Sequence, residues 1–291
     1  MSAPHPGPFG DGSRTLVMGV VNVTPDSFSD GGEWFEPEAA IAHGRLLMAR
    51  GADLVDVGGE STRPGAARPS VAEELRRVLP VVSALAAYGH QVGVPVSVDT
   101  MRAEVAAAAL DAGAGLVNDV SGGLADPEML GLVAARGVPY VAMHWRGHST
   151  DMQSRAVYDD VVAQVHDELA ERVAAILAAG VAADRLVLDP GLGFAKFAEH
   201  NWAVLAGLAQ LHGLGHPLLV GASRKAFLGK VGRADGDARS PLERDVATAA
   251  TSVYAAQAGV WAVRVHDVVG TRDALDVVAA MRAATGAQAV R

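Results

Sequence analysis

Short apolar runs alternate along this chain with longer Ala-rich stretches, and the alternation repeats from residue 17 nearly to the C-terminus. The Ala-rich stretches have the length and the weak β-branching of helices. Five of them stop at a Gly: Arg50-Gly51, Ala112-Gly113, Arg136-Gly137, Ala179-Gly180 and Ala258-Gly259. Gly at such a stop predicts a left-handed helix cap. Strands are predicted after them at residues 54–57, 116–118, 140–143, 186–188 and 261–263, and three more at 17–21, 95–98 and 217–220. Strands this uniformly apolar are buried on both faces, as in a parallel sheet. Eight strand-helix units without a linker or a change of composition predict an α/β fold, a single (β/α)8 TIM barrel over residues 15–291. An open, doubly wound sheet is the alternative. Residues 1–14 are rich in Pro and Gly and read as a flexible N-terminal tail, not a signal peptide.

Composition bounds the function. With 291 residues, half of them hydrophobic, the chain buries a large core, and its net charge of -9 argues against nucleic acid or an anionic membrane as partner. A pocket that is locally basic remains compatible with that charge. The sequence has no cysteine, which excludes disulfides, thiolate metal sites and cysteine nucleophiles and suits the cytoplasm. No apolar run reaches the roughly 18 residues of a membrane span.

Barrel active sites lie at the carboxyl ends of the strands. The polar residues at those ends are Asn22, Asp56, Asp99, Asn118, His144, Asp189, Ser223 with Lys225, and Arg264 with His266. Polar residues mark the passage from strand to loop in any protein, so each alone has a bland reading; Asp99, for one, could cap the helix that follows. A set rich in charges and amides, gathered at one mouth, is harder to explain that way. Arg264 and His266 are two residues apart, so both point inward if Val265 points outward, and a guanidinium fork suits phosphate. His144 is expected to line the mouth and His148 to lie in a loop; their spacing would serve a metal only on a helix.

Residues 18–32, Met18-Gly19-Val20-Val21-Asn22-Val23-Thr24-Pro25-Asp26-Ser27-Phe28-Ser29-Asp30-Gly31-Gly32, form a specific signature. Asp56-Val57-Gly58-Gly59-Glu60-Ser61-Thr62-Arg63-Pro64-Gly65 forms a second. Asp189-Pro190-Gly191-Leu192-Gly193-Phe194, Gly221-Ala222-Ser223-Arg224-Lys225 and Arg264-Val265-His266-Asp267 follow in order. Together they resemble the dihydropteroate synthases, bacterial members of a pterin-binding barrel family. The resemblance implies a transferase of folate biosynthesis. Its substrates would be 6-hydroxymethyl-7,8-dihydropterin pyrophosphate and 4-aminobenzoate, its products 7,8-dihydropteroate and pyrophosphate.

A pterin presents an amine and a ring N–H side by side, a donor pair that a carboxylate such as Asp189 can accept. The resemblance assigns the pterin to Asp99, Asn118, Asp189 and Lys225. It assigns the pyrophosphate to Asn22, Arg63, Arg264 and His266, with Thr62 at the edge, and makes Asn22 the ligand of Mg2+. One amide oxygen is a weak site unless the ion keeps waters and borrows phosphate oxygens. Phe28, Pro64, Phe194 and Lys225 would shape the aminobenzoate pocket, and Asp30 and Arg68 would help the loops at 24–35 and 61–70 close over it. Phe28 could equally be a loop anchor. The residues taken as catalytic are Asn22, Lys225, Arg264 and His266, acting by electrostatic help to the leaving group and by positioning. Ala226 departs from the family, where many members carry a Ser whose hydroxyl meets the aminobenzoate carboxylate; N–H groups of a short helix at 226–228 could serve instead. The resemblance also implies a homodimer and sensitivity to sulfonamide mimics of aminobenzoate. The alternatives are a catalytically silent pterin-binding paralogue and a methyltetrahydrofolate-binding methyltransferase. The latter would not need the Phe28 loop, the Arg63-Pro64 loop, Lys225 or the Arg264 and His266 pair.

Overall fold

The structure is a computed structural model that describes residues 14–24, 37–61, 68–233 and 237–289. Strands and helices alternate as the hydrophobic pattern predicts: β1 (Leu16–Asn22), α1 (Pro37–Ala49), β2 (Leu54–Gly58), α2 (Val71–Val92), β3 (Val96–Asp99), α3 (Ala103–Asp111), β4 (Leu116–Asp119) and α4 (Met129–Arg136). The second half holds β5 (Tyr140–Met143), α5 (Val161–Ala178), β6 (Leu186–Asp189), α6 (Ala198–Ala206), α7 (Leu208–Leu211), β7 (Leu219–Val220), α8 (Asp245–Gln257), β8 (Ala262–Val265) and α9 (Val268–Ala289). The five glycines expected as caps, Gly51, Gly113, Gly137, Gly180 and Gly259, all have positive φ.

All strand pairs are parallel, in the order β6-β5-β4-β3-β2-β1-β8-β7. A bridge between Leu188 and Leu218, with Leu188 N donating to Pro217 O at 2.9 Å, joins β6 to the segment leading into β7 and closes the ring. The sheet is therefore a barrel and not the open alternative.

Alternation along each strand sorts the side chains into two populations. Val17, Val21, Val55, Val57, Val98, Val117, Leu186, Leu188, Val263 and Val265 face outward into one large core against the helices. Met18, Leu54, Leu116, Val141, Val187, Leu219 and Ala262 face inward and plug the lower barrel. The next inward positions up are Asp56, Ser97, Asn118, Asp189 and Arg264. An apolar plug thus carries a polar storey at the C-terminal mouth.

Candidate active site

The polar storey centres on Asp56, whose side chain is fully buried. Asn118 Nδ2 donates to its Oδ2 at 2.9 Å, Arg264 Nε donates to the same atom at 2.6 Å, and Ser97 Oγ donates to Oδ1. Arg264 Nη2 reaches on to Asp99 Oδ2 at 2.8 Å. Strand register makes these neighbours, since Gly58 pairs with Asp99 and Asp99 with Asn118. Burial raises the Asp99 carboxyl to about 7; the Arg264 charge opposes that rise and the Asp56 charge adds to it. Burial alone would lower the Arg264 guanidinium, but Asp56 and Asp99 outweigh it and hold it above its ordinary value. Asp99 does not cap a helix: α3 begins at Ala103, whose N–H is taken by Asp126 Oδ2 at 2.8 Å.

Across the mouth, Asp189 ends β6. Its Oδ1 accepts from Gly191 N at 2.7 Å. A Cβ at Gly221 would stand 3.8 Å from Asp189 Oδ2, so the absence of a side chain there keeps the space beside that oxygen open. Burial raises the Asp189 carboxyl, and the charge of Lys225 works against the rise. Lys225 is half-buried, donates to Leu192 O and lies over the Phe194 ring, with Nζ 4.8 Å from the centroid. Burial lowers its ammonium to about 8, with Asp189 opposing. Phe194 packs beside Met101, Val120, Met143, Ala125 and Trp145, an apolar wall next to the polar group. Gly191, at φ 68°, admits no side chain, because a Cβ would come 2.4 Å from His144 O.

His266 Nδ1 and Ser223 Oγ are 2.9 Å apart, and His266 N donates to the same oxygen at 3.1 Å. The Ser223 hydroxyl thus ties the His266 ring and backbone to the segment after β7. Between Ser223 and Lys225, Arg224 adopts φ 58°, unusual for a residue with a side chain. Its Nε and Nη2 donate to Asp245 at 2.7 and 2.8 Å, its N donates to Thr248 Oγ1 at 3.2 Å, and its carbonyl accepts from Arg244 at 2.8 Å. The expected short helix opens after Lys225 as a 3-10 turn over Ala226–Lys230.

Asn22 ends β1 opposite Gly58, on the same rim. Among the described residues no group of three or more His, Asp or Glu is placed to hold a metal. Arg68 Nε donates to Glu60 Oε1 at 2.8 Å, in the second segment's loop. Phe28, Asp30, Thr62, Arg63 and Pro64 lie outside the described residues.

One position differs from the sequence reading, and a second has partners the sequence did not show. His144 does not line the mouth. It follows inward-facing Met143 and points the other way, 2 % exposed, with Nε2 3.0 Å from Glu168 Oε2 and Nδ1 2.9 Å from Lys196 Nζ. Arg264, expected at the phosphates beside His266, spends two donor groups on Asp56 and Asp99, within the group expected to read the pterin. Sequence reasoning gave no role to Asp56 or Lys196. Asp56 had a signal: a carboxylate inside Leu54-Val55-Asp56-Val57, with the parity of inward-facing Leu54. Lys196 had none, since a lysine in a loop normally reaches solvent.

Residues 18–266 match the family described as pterin binding enzymes. A dihydropteroate synthase of Mycobacterium leprae (strain TN) is 54% identical over 266 residues, covering 91% of this chain and 92% of the relative. A Xanthomonas albilineans dihydropteroate synthase solved with 4-aminobenzoic acid superposes with a TM-score of 0.84 at 49% identity, over 93% of this chain and 94% of that one. The Xanthomonas albilineans enzyme in complex with 7,8-dihydropteroate gives 0.81 at 46% identity, with the same coverage.

Proposed function

This chain belongs to the dihydropteroate synthase family of pterin-binding enzymes, and from that premise we propose how its barrel mouth carries out the reaction. The activity is a transfer that forms a C–N bond: the C–O bond to pyrophosphate breaks first and leaves a pterin cation, and the arylamine of 4-aminobenzoate then attacks the pterin CH2. The amine then sheds a proton. An arylamine is already neutral at physiological pH, so no strong base is required.

The observation that carries the assignment of roles is the convergence of Asp99, Asn118, Asp189 and Lys225 on one mouth, beside an apolar wall. A flat heterocycle with polar edges matches both features. Asp189 accepts the amine and ring N–H, Asn118 and Asp99 read other edges, and Lys225 donates to the ring carbonyl. Charge-assisted bonds of this kind are worth roughly 1.5–3 kcal/mol each. Arg264 bridges the pterin group and the leaving group: two of its donors hold Asp56 and Asp99, and the rest of its fork serves the pyrophosphate. His266 joins Asn22, Thr62 and Arg63 as the other phosphate contacts. Asn22 would hold Mg2+, which when bound would supply charge neutralisation at the pyrophosphate. Phe194, Lys225, Phe28 and Pro64 receive the arylamine, backbone N–H groups after Lys225 take its carboxylate where Ala226 offers no hydroxyl, and Asp30 and Arg68 steady the loops. The working form is a cytoplasmic homodimer, to be checked by sedimentation and fractionation.

An assay of dihydropteroate formation with both substrates tests the whole reading. Product should form, and it should stop when Lys225 is replaced by Ala. A protein that binds the pterin pyrophosphate and yields no product would be the silent paralogue.

A further inference from the structure

Lys196 is a buried cation to which the chemistry above gives no part. It is 3 % exposed, and its Nζ lies 2.9 Å from His144 Nδ1, 3.1 Å from Gly191 O and 3.2 Å from Phe194 O. An ammonium has three N–H donors and no acceptor, and here three acceptors meet it. A buried charge is tolerated only when its hydrogen bonds are made, so this lysine is held by its surroundings and holds them in turn.

What it holds is the turn at residues 191–194. Gly191 O and Phe194 O are the two ends of that turn, and its middle is tied by Gly193 N to Asn201 Oδ1 at 2.6 Å. The same turn supplies both contacts that seat Lys225: the Leu192 carbonyl and the Phe194 ring. On its other side, Lys196 Nζ lies 2.9 Å from His144 Nδ1. If Nδ1 accepts from the ammonium, Nε2 carries the hydrogen and donates to Glu168 Oε2 at 3.0 Å. Glu168 is held by Arg146 as well, whose Nε donates at 3.0 Å. Burial, with the nearby Lys196 charge, pushes the His144 ring down to about 4, which keeps it neutral for this role. The connection runs from α5 through Glu168, His144 and Lys196 to the turn.

We propose that Lys196 is a positioning residue for this reaction: its ammonium locks the 191–194 turn, and through it Lys225 and Phe194, in the shape that receives the arylamine. The inference rests on the reading that Phe194 and Lys225 form the aminobenzoate pocket.

Two measurements test it. In the wild-type protein at about pH 6, below the value of about 7 to which burial lowers Lys196, 15N NMR should show His144 as the Nε2–H tautomer with Nδ1 accepting. A proton on Nδ1 would overturn the inference without any variant. In Lys196→Met, the KM for 4-aminobenzoate should rise about tenfold, while the KM for the pterin pyrophosphate stays within about twofold. Loss of fold alone would not split the two constants in this way. Should that variant fail to fold, Lys196→Gln, which keeps a donor for one carbonyl, carries the same readout. An unchanged aminobenzoate KM sinks the inference. Phe194→Ala then separates the causes: if it raises the aminobenzoate KM, the pocket reading stands and only the role of Lys196 falls; if it does not, the pocket reading falls too.

Discussion

At the scale of single residues, the mouth is governed by how many partners each buried charge has. Asp189 has one oxygen engaged by Gly191 N and is raised by burial, so it gains by accepting a donor pair. Asp189→Asn keeps the shape but turns one acceptor into a donor facing the pterin's own N–H. Leaving a buried group unpaired costs about 1–3 kcal/mol, and each 1.4 kcal/mol is about tenfold. Pterin affinity should fall by one to two orders of magnitude, with the melting temperature nearly unchanged; a variant that binds pterin normally but melts early would make Asp189 structural. Asp99 invites a pH test. Its folded pKa of about 7 lies above the ordinary carboxylate value, so at lower pH it holds a proton that the unfolded chain would release. The fold is therefore stabilised by this group as pH falls toward the ordinary value, and that contribution is lost as pH rises through about 7. If the pterin needs the ionised form, binding releases a proton and tightens with rising pH. Calorimetry in buffers of different ionisation heat should detect that release, and Asp99→Asn should abolish it. Arg264→Ala frees Asp56 and Asp99 together, so it should weaken a plain pterin as well as the pyrophosphate. A loss confined to the phosphorylated ligand would place Arg264 with the phosphates alone.

Among the elements, the turn between β7 and α8 carries a visible strain. A left-handed conformation at a residue other than Gly costs on the order of 1–2 kcal/mol, and Arg224 accepts it because the N-terminal end of α8 and the residue before it grip it from three sides. The consequence is that Ser223 reaches His266 while Lys225, two residues on, reaches Leu192 and Phe194. Asp245→Ala removes the bidentate partner and should cost about 1–2 kcal/mol in urea unfolding. It should also raise the KM for both substrates, since both neighbours of Arg224 lose their frame. Arg224→Gly should keep the turn, because Gly adopts that conformation freely, and so retain more activity than Asp245→Ala. Equal activity in the two variants would show that the pair, not the backbone, matters.

For the whole molecule, barrel closure decides function. The Leu188 to Leu218 junction brings β6, with Asp189, around to β7, the segment after it that carries Lys225, and β8 with Arg264. Opposite charges then share one mouth in a protein whose overall charge is -9, so anion binding depends on local placement and not on net charge. On the proposed assignment, the aminobenzoate pocket and the pyrophosphate site draw on the same sequence segments, Phe28 with Asn22 and Pro64 with Arg63. Aminobenzoate and sulfonamides should therefore bind weakly to the free protein and tightly once pyrophosphate and Mg2+ are present. Tight aminobenzoate binding by calorimetry in the absence of pyrophosphate would show that the pocket is complete without the anion.

The sequence by itself determined the eight strand-helix units, the glycine caps and the family, because hydrophobic period, positive-φ glycines and ordered motifs are local or nearly local properties. It also determined which polar residues stand at the strand ends. The partners of those residues were decided only by the tertiary structure. Arg264 and Asp56 are 208 residues apart in the chain and 2.6 Å apart in space, and no local pattern encodes that pairing. Orientation was likewise a matter of barrel geometry: His144 faces away from the mouth because Met143 faces into it. Lys196 is the clearest case. A lysine is read from sequence as a solvated side chain, and only the fold, by closing two carbonyls and an imidazole around its ammonium, turns it into a buried tie.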